Sequence, residues 1–460
     1  MPDVVVLLPG ITGSVLRKDG REVWGTSGGA LLRTLLSGGG SIRDLALVDD
    51  NPDADDTGDG VTVAGLAPDL TIIPGLWKID GYTKVARVLG EVFELVRGKN
   101  YFEFAYDWRR DNRASARRLA RESHAWLGAW RQESGNRDAR LVLVAHSMGG
   151  IISRYFLEAL EGWKTTRSLI TFGTPYRGSL NALSFLANGY GKSLGPLRMD
   201  LSPMLRSLTS IYQLLPIYEC VDTDGQGLKR VAEAGALPNV DSARAAQALA
   251  FHRSIETAQA ANAADEGYRR DGYKTYPIVG IDQPTLQSAR LDGAGNLEML
   301  ATYEDEDLSG DGTVPRVSAT PIELSKARRE MFAAERHGSL QNFDAALSQV
   351  EGVVSGDRID LGRFRTAAPG LTTLGLAIDD AFATDEPVRM SVRPSEGRPE
   401  LWATIADAET RAEIQRVPLR PVPDGSQAAE FPPLSSGLYR VTVSGGERIS
   451  PVTDVFAVLG

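Results

Sequence analysis

The stretch Leu141-Val-Leu-Val-Ala-His-Ser-Met-Gly-Gly150 decides how this chain is read. Leu141 to Val144 form an unbroken apolar run, the pattern of a strand buried on both faces. Small residues follow at Ala145, Gly149 and Gly150, and then Ile151–Leu160 reads as a helix that Gly162 ends. A serine between such a strand and such a helix sits on a sharp turn, where bulky neighbours would clash. That is the setting of a nucleophile elbow. Ala145 stands where the usual motif has its first glycine, a mild departure because the position needs only small size. Met148 opens the helix, so its N–H is aimed to meet a developing oxyanion. The competing reading is a strand–glycine–helix turn that serves packing alone.

Outward from this unit, short β-branched runs alternate with helical patterns, which predicts parallel strands joined by crossover helices. The other candidate strands are Val4–Leu8, Tyr101–Tyr106, Ser168–Phe172 and Tyr276–Ile281. Tyr82–Val96 and Ala114–Trp130 carry apolar residues at helical spacing, with Trp126 beside the stripe of Leu119, Leu127 and Trp130. Residues 17–80 are rich in Gly and Asp and read as a long irregular excursion. Residues 180–274 are helical in pattern without a strand signal, as expected of a cap inserted over a hydrolase site. From Pro369 onward, Leu371–Ile378, Val388–Val392, Leu401–Ile405 and Tyr439–Val443 are short alternating segments punctuated by Pro and Gly. They predict a β-sandwich of immunoglobulin-like size. The expected architecture is therefore α/β: a mostly parallel sheet over 1–365 with a helical cap at about 180–274, and a C-terminal β-sandwich over 369–460.

Composition narrows the function classes. The 460 residues suit two or three domains at roughly 150 residues each. Fifty basic against sixty acidic groups leave a net charge of −10, which argues against nucleic-acid partners, since these are held by Lys and Arg on phosphates. Cys220 is the one cysteine, so an intrachain disulfide and a cysteine-rich zinc site are excluded. No apolar run approaches the roughly 20 residues of a membrane helix, and Val4–Leu8 is too short for a signal-peptide core. The expectation is a cytoplasmic protein.

A hydrolytic triad needs a base within reach of Ser147 and an acid that orients the base. In this fold class the chain order is serine, acid, histidine. Of the four histidines, His124 and His146 precede the serine, and His252 lies in the cap before any late acid. His337 remains, in the polar turn after the apolar patch Met331–Ala334. For the acid, Asp282 directly follows the Tyr276–Ile281 strand, the generic place. Asp311 lies in the glycine-flanked turn Ser309-Gly-Asp-Gly-Thr-Val-Pro315. Asp305 and Asp307 read as exposed members of an acidic loop. Spacing alone leaves Asp282 and Asp311 open. A second oxyanion donor belongs in the loop after an early strand, where Gly10 allows close backbone approach and Ile11 supplies the N–H. The alternative for Gly10 is a simple strand-ending turn.

Together, Val5-Val-Leu-Leu-Pro-Gly10, Tyr106-Asp-Trp-Arg109, Ala145-His-Ser-Met-Gly149, Gly173-Thr-Pro-Tyr-Arg-Gly178, Gly310-Asp-Gly-Thr-Val-Pro315 and His337 resemble the lecithin:cholesterol acyltransferase-like family, which includes lysosomal phospholipase A2 and bacterial lipases. The resemblance covers roughly residues 4–345 and does not extend to the C-terminal strands. It implies an α/β-hydrolase with a cap, acting on acyl esters through Ser147 as nucleophile, Asp311 as acid and His337 as base, with Ile11 and Met148 as oxyanion donors. The chain departs from secreted members in lacking the cysteines of their disulfide-pinned membrane-binding loop. Residues 180–274 align with no family motif.

Other features are weaker. Asp53-Ala-Asp-Asp-Thr-Gly58 and Asp305-Glu-Asp-Leu-Ser-Gly310 begin like calcium loops, but the twelfth positions are Ala64 and Arg316 rather than Glu. Gly191-Lys-Ser193 lacks the first glycine of a phosphate loop, because Leu186 stands there. Arg109, Arg110, Arg113, Arg117, Arg118 and Arg121 read as a solvated helix face, or else as a site for an anionic headgroup. Met204, Leu205, Leu208, Ile211, Tyr212, Leu214 and Leu215 read as cap core, or else as an acyl groove or lid; Trp24 and Trp77 are aromatics of the excursion that would contribute there. The functional expectation is a serine esterase or lipase for acyl esters, lipid or phospholipid, with no cofactor and no metal, because serine acyl chemistry needs neither. The alternatives are acyl transfer to an alcohol, and an effector hydrolase that docks a protein partner through its C-terminal domain. A non-catalytic scaffold is the outlying reading. Expected partners are the ester substrate and, transiently, a membrane surface.

Overall fold

A computed structural model describes residues 1–25, 44–68, 71–73, 77–194, 197–225, 227–325, 330–355, 372–446 and 448–459. The expected boundary near 365–369 lies outside them. Six strands form the central sheet: β1 (Val4–Leu8), β2 (Tyr101–Glu103), β3 (Leu141–His146), β4 (Thr166–Phe172), β5 (Lys274–Gly280) and β6 (Met331–Ala333). Their order is β6-β5-β4-β3-β1-β2, and every neighbouring pair is parallel. Alternation along the strands feeds two apolar layers. Val4, Val6, Leu8, Leu141, Leu143 and Ala145 face one core, while Val5, Leu7, Val142 and Val144 face the other. This two-sided burial is why β1 and β3 read as unbroken apolar runs.

Helix α1 (Thr83–Val92) and the helix Asp344–Ser355 cover one face through Val85, Leu89, Leu347 and Val350. Helices α2 (Asn112–Ser134) and α3 (Met148–Ala159) cover the other through Leu119, Leu127, Ile151 and Ile152. The Asp111 carboxylate caps α2 by accepting from the Arg113 N–H, and Gly135 ends it at φ 70°. Trp126 leaves the apolar stripe to stack on Phe102, ring centroids 4.3 Å apart.

Two expectations need correction. The excursion after β1 is not wholly irregular: Ser14–Lys18, Arg21–Trp24 and Val61–Leu66 form a three-stranded antiparallel sheet. The cap holds strands as well as helices. Its helices are Leu180–Ala187, Ser202–Ser207, Thr209–Gln213, α4 (Ser242–Ala264) and Glu266–Asp271. Gly191–Leu194 pairs with Leu197–Asp200 as a hairpin, and Val221–Asp222 pairs with Ser288–Leu291, beyond the expected end of the cap. Two- to four-residue strands are too short to register a period of two. No helix among the described residues is long and apolar enough to cross a membrane.

The C-terminal part is a β-sandwich. One sheet contains β7 (Leu374–Ile378) with Val388–Pro394, Gln427–Phe431 and Arg420–Pro421; the other contains Ala381–Ala383, β8 (Val452–Leu459), Gly437–Ser444, Trp402–Asp407 and Glu413–Pro418. Leu376, Val392, Ile405, Phe431, Val441 and Phe456 meet between the sheets. Tyr439 donates its hydroxyl hydrogen to the Ser435 carbonyl at 2.8 Å, as in the tyrosine corner of such sandwiches.

Candidate active site

Five strands of the parallel sheet deliver their carboxyl ends to one place, where ligands of open α/β sheets bind. Ser147 follows β3 at φ 51° and ψ −124°, a backbone region that a non-glycine residue occupies only under constraint. The neighbours make room for it. A Cβ on Gly149 would lie 2.4 Å from the Pro9 carbonyl oxygen, and one on Gly150 would lie 2.0 Å from Thr174 Oγ1. Thr174 Oγ1 donates to the Ser147 carbonyl, and the Ser147 N–H donates to the Phe172 carbonyl.

The structure brings Ser147, His337 and Asp311 together in the expected order. Ser147 Oγ lies 2.9 Å from His337 Nε2, and His337 Nδ1 lies 2.7 Å from Asp311 Oδ2. The other Asp311 oxygen, Oδ1, accepts the N–H groups of Thr313 and Val314 at 2.9 and 2.7 Å. The carboxylate is thus fixed from both ends and buried, with 1% of its surface exposed. Asp282 is not brought to His337: its N–H donates to Ser309 Oγ, and the residue turns away from β5 at φ 63°. Gly173, at φ 53°, is where Asp311 and His337 press on the β4 end; a Cβ there would lie 2.7 Å from Asp311 Oδ2 and 2.9 Å from His337 Nδ1.

Ile11 lines the cavity beside Ser147, and Met148 is the first residue of α3. Neither N–H donates to a protein acceptor among the described residues. An oxyanion hole requires this before substrate arrives.

Spacing did not reveal the second network behind the triad. The Gly10 N–H donates to the Tyr82 hydroxyl at 2.7 Å, and that hydroxyl lies 2.8 Å from His146 Nδ1. His146 Nε2 lies 3.1 Å from the His337 carbonyl oxygen. The hydroxyl donates to Nδ1 and the Nε2–H donates to the carbonyl, so His146 is neutral. Burial and then the nearness of His337 push its pKa well down. His146 thus ties the oxyanion loop to the backbone of the base. His252 is likewise structural, held by the Gln213 carbonyl at 2.7 Å. Cys220 is buried, and burial raises its thiol pKa.

Over the triad lies a cleft with an empty volume of about 1040 Å³, part of it open to solvent. Ile11, Ile79, Ala182, Phe185, Ile211, Leu214 and Val314 give it apolar walls. Of the apolar cap cluster, Met204, Leu205, Leu208, Tyr212 and Leu215 are packed as core, while Ile211 and Leu214 also face the cleft. Trp24 is core beside Trp108, ring centroids 5.1 Å apart. The side chain of Trp77 lies outside the described ones.

The arginine run is buried at its start, at Arg109 and Arg110, and solvated at Arg121, with its guanidinium groups largely taken up by acidic and carbonyl partners. Arg109 is fully buried between Asp59 and Asp107, each at 2.7 Å. Burial alone would raise the Asp59 carboxyl, but hydrogen bonds from Arg109, Thr57 and the Val61 N–H, with the Arg109 charge, together outweigh it and hold Asp59 at about 2. Arg110 takes the carbonyls of Asn51, Ala54 and Asp55, while Arg117 and Arg121 pair with Asp53 and Asp55 at 2.6 Å each. Asp53 and Asp55, two of the carboxylates that read as a calcium loop, are the partners of Arg117 and Arg121.

Among known proteins, residues 75–270 match the model of the family described as lecithin:cholesterol acyltransferase. No curated protein matches the chain. Among solved structures, the lipase BlEst2 of Bacillus licheniformis in its propeptide form is 13% identical with a TM-score of 0.34, over 99% of this chain and 92% of that one. Its mature form is 12% identical with a TM-score of 0.30, over 74% of this chain and 86% of that one. The BSP domain of a biofilm associated protein is 20% identical with a TM-score of 0.16, over 19% of this chain; the match spans 15% of that protein's length. Over residues 75–270 the chain is similar to the lecithin:cholesterol acyltransferase family, as its motifs imply, and the resemblance is that of an enzyme acting on acyl esters.

Proposed function

We propose that the chain is a serine hydrolase that cleaves carboxylic esters of lipids through an acyl-enzyme. The observation that carries this reading is the hydrogen-bonded run Ser147–His337–Asp311 at the foot of an apolar-walled cleft. His337 Nε2 takes the Ser147 hydroxyl proton as Oγ attacks the ester carbonyl. Asp311 holds the proton on Nδ1 and stabilises the imidazolium that forms. The N–H groups of Ile11 and Met148 receive the oxyanion, and the positive end of α3 adds to their effect. His337 then protonates the leaving alcohol. Water, activated by the same imidazole, attacks the acyl-enzyme and regenerates Ser147.

An alcohol in the place of water would make the enzyme an acyltransferase, a reading favoured by the family matched over residues 75–270. The two share every residue named above and differ in what enters the cleft second. The test is labelling of wild type and Ser147→Ala with a fluorophosphonate, followed by turnover of esters of graded chain length with and without an added alcohol. Labelling lost in Ser147→Ala, with preference for longer chains, is the expected result. Absence of labelling in wild type, together with no ester turnover, would remove the proposal.

A further inference from the structure

The C-terminal sandwich is fastened to the two loops that carry the acid and the base, and one strand, β7, reaches both of them. On the acid side, Gln283 follows β5 by three positions and forms a parallel bridge with Asp311, its N–H donating to the Gly310 carbonyl at 3.0 Å. The Gln283 side chain, itself buried, turns the other way: Nε2 donates to the Leu374 carbonyl at 3.3 Å and Oε1 accepts the Leu376 N–H at 3.4 Å. On the base side, Arg336 directly precedes His337. Its Nη1 donates to the Leu376 carbonyl at 2.7 Å, and its Nε lies 3.1 Å from Asp454 Oδ2 at the start of β8. Leu374 and Leu376 both belong to β7. Between them Gly375 lies against the loop after β5, where a Cβ would come within 2.8 Å of the Asp282 carbonyl oxygen. The approach therefore needs glycine. The sandwich also supplies Asp380, Asp454 and Val455 to the wall of the cleft.

We infer that β7 sets the separation of Asp311 and His337, with Gln283 and Arg336 as positioning residues. This rests on the serine-hydrolase reading above. The sandwich is on this view a working part of the site rather than a docking module. His337 sits on a turn whose own N–H is given to the Asp311 carbonyl, so the two loops lean on each other. β7 closes the frame by holding the neighbour of each, and Arg440 of the sandwich adds a tie to Asp80, whose N–H donates to the Gly338 carbonyl beside His337. A misplacement of about 1 Å in such an arrangement costs on the order of 10²-fold in rate.

The experiment uses the full chain carrying Gln283→Leu, Arg336→Ala, Arg336→Lys or Asp454→Asn, each checked for a cooperative thermal transition. In the two strongest, Gln283→Leu and Arg336→Ala, kcat on a soluble ester should fall about 10- to 100-fold while KM stays within about twofold. Fluorophosphonate labelling should slow in parallel. Arg336→Lys, which can keep one of the two attachments, should recover part of the loss, and added guanidinium should rescue Arg336→Ala. Folded variants with wild-type kcat would overturn the inference. So would a rise in turnover, which would make the sandwich a restraint on the site. Should a variant not fold, Gly375→Ala, which forces β7 away from Asp282, asks the same question. If wild type itself is not labelled at Ser147, the hydrolase reading fails first; if it is labelled and the variants match it, only the clamp fails.

Discussion

Asp311→Asn tests the site most sharply, because the structure dictates which way the new amide must face. Asp311 Oδ1 accepts two backbone N–H groups, from Thr313 and Val314, and Oδ2 accepts the ring Nδ1–H of His337. Turning the carboxamide so that its NH₂ met the two backbone donors would leave both unsatisfied in a buried site, at about 1–3 kcal/mol each. The amide oxygen therefore stays where Oδ1 is, and the NH₂ faces His337 Nδ1. It must donate there, which moves the imidazole proton to Nε2, 2.9 Å from Ser147 Oγ. A protonated Nε2 cannot accept the serine proton. The same exchange in a serine protease triad lowers kcat about 10⁴-fold, and a loss of about 10³- to 10⁴-fold is expected here. That corresponds to about 4–5.5 kcal/mol of transition-state stabilisation, at about 1.4 kcal/mol per decade. The assay is kcat on a short-chain chromogenic ester, beside the rate of fluorophosphonate labelling, with Asp282→Asn as the comparison that should keep kcat within about twofold. An Asp311→Asn enzyme that retains more than a tenth of wild-type kcat would refute the assignment of Asp311 as the residue orienting His337.

Three further outcomes are expected. Gly173→Ala places a methyl 2.7 Å from Asp311 Oδ2 on a backbone at φ 53°, so turnover should drop by about 10² or more; a fully active, folded variant would show that the β4 end yields freely. Glu335 is buried, and burial first, with Asp454 adding to it, pushes its carboxyl up to about 8. It is therefore neutral in the folded chain, while the unfolded chain ionises it above about pH 4.3, so stability is full below that value and falls as pH rises towards 8. Glu335→Gln should remove this slope, a difference of the order of 4 kcal/mol near pH 8 and nearly none at pH 4; parallel melting curves against pH would contradict it. Arg109→Met leaves Asp59 and Asp107 without their buried cation and should cost about 3–5 kcal/mol in urea denaturation, whereas a loss under about 1 kcal/mol would mean that water reaches the pair.

What the sequence disclosed follows from which features are local. β1 and β3 were legible because both faces are buried, and the elbow because Ser147, Gly149 and Gly150 adjoin in sequence. His337 followed from chain order and from the scarcity of histidine. Features that depend on distant partners left little trace. Arg110, Arg117 and Arg121 looked like a solvated face because their partners lie some sixty residues earlier, in a loop that by itself resembled a cation site. Tyr82 belonged to an amphipathic helix pattern, and its hydroxyl meets His146 only once α1 is laid against the sheet. Gln283 and Arg336 carry no motif. Their side chains matter through β7, in a part of the chain that the family resemblance does not cover.

The choice between two acids shows how far a generic rule carries. The rule places the acid directly after β5, and Asp282 stands there in sequence. In space the rule holds for a different residue. Gln283 pairs with Asp311, and a Cβ on Gly280, the last residue of β5, would lie 2.3 Å from the Asp311 Cβ. Asp311 is thus returned to the end of β5 after the chain has made the strands Ser288–Leu291 and Leu297–Leu300. Asp282 is displaced because its backbone meets the sandwich, its carbonyl lying against Gly375. Asp311 is far from β5 along the chain and at its end in space. A spacing argument cannot see such a return, because it measures distance along the chain, whereas the tight turn from Gly310 to Pro315 preserves the local geometry that the carboxylate needs. The residue that matched by motif is the one that lies beside His337, and the residue that matched by position does not.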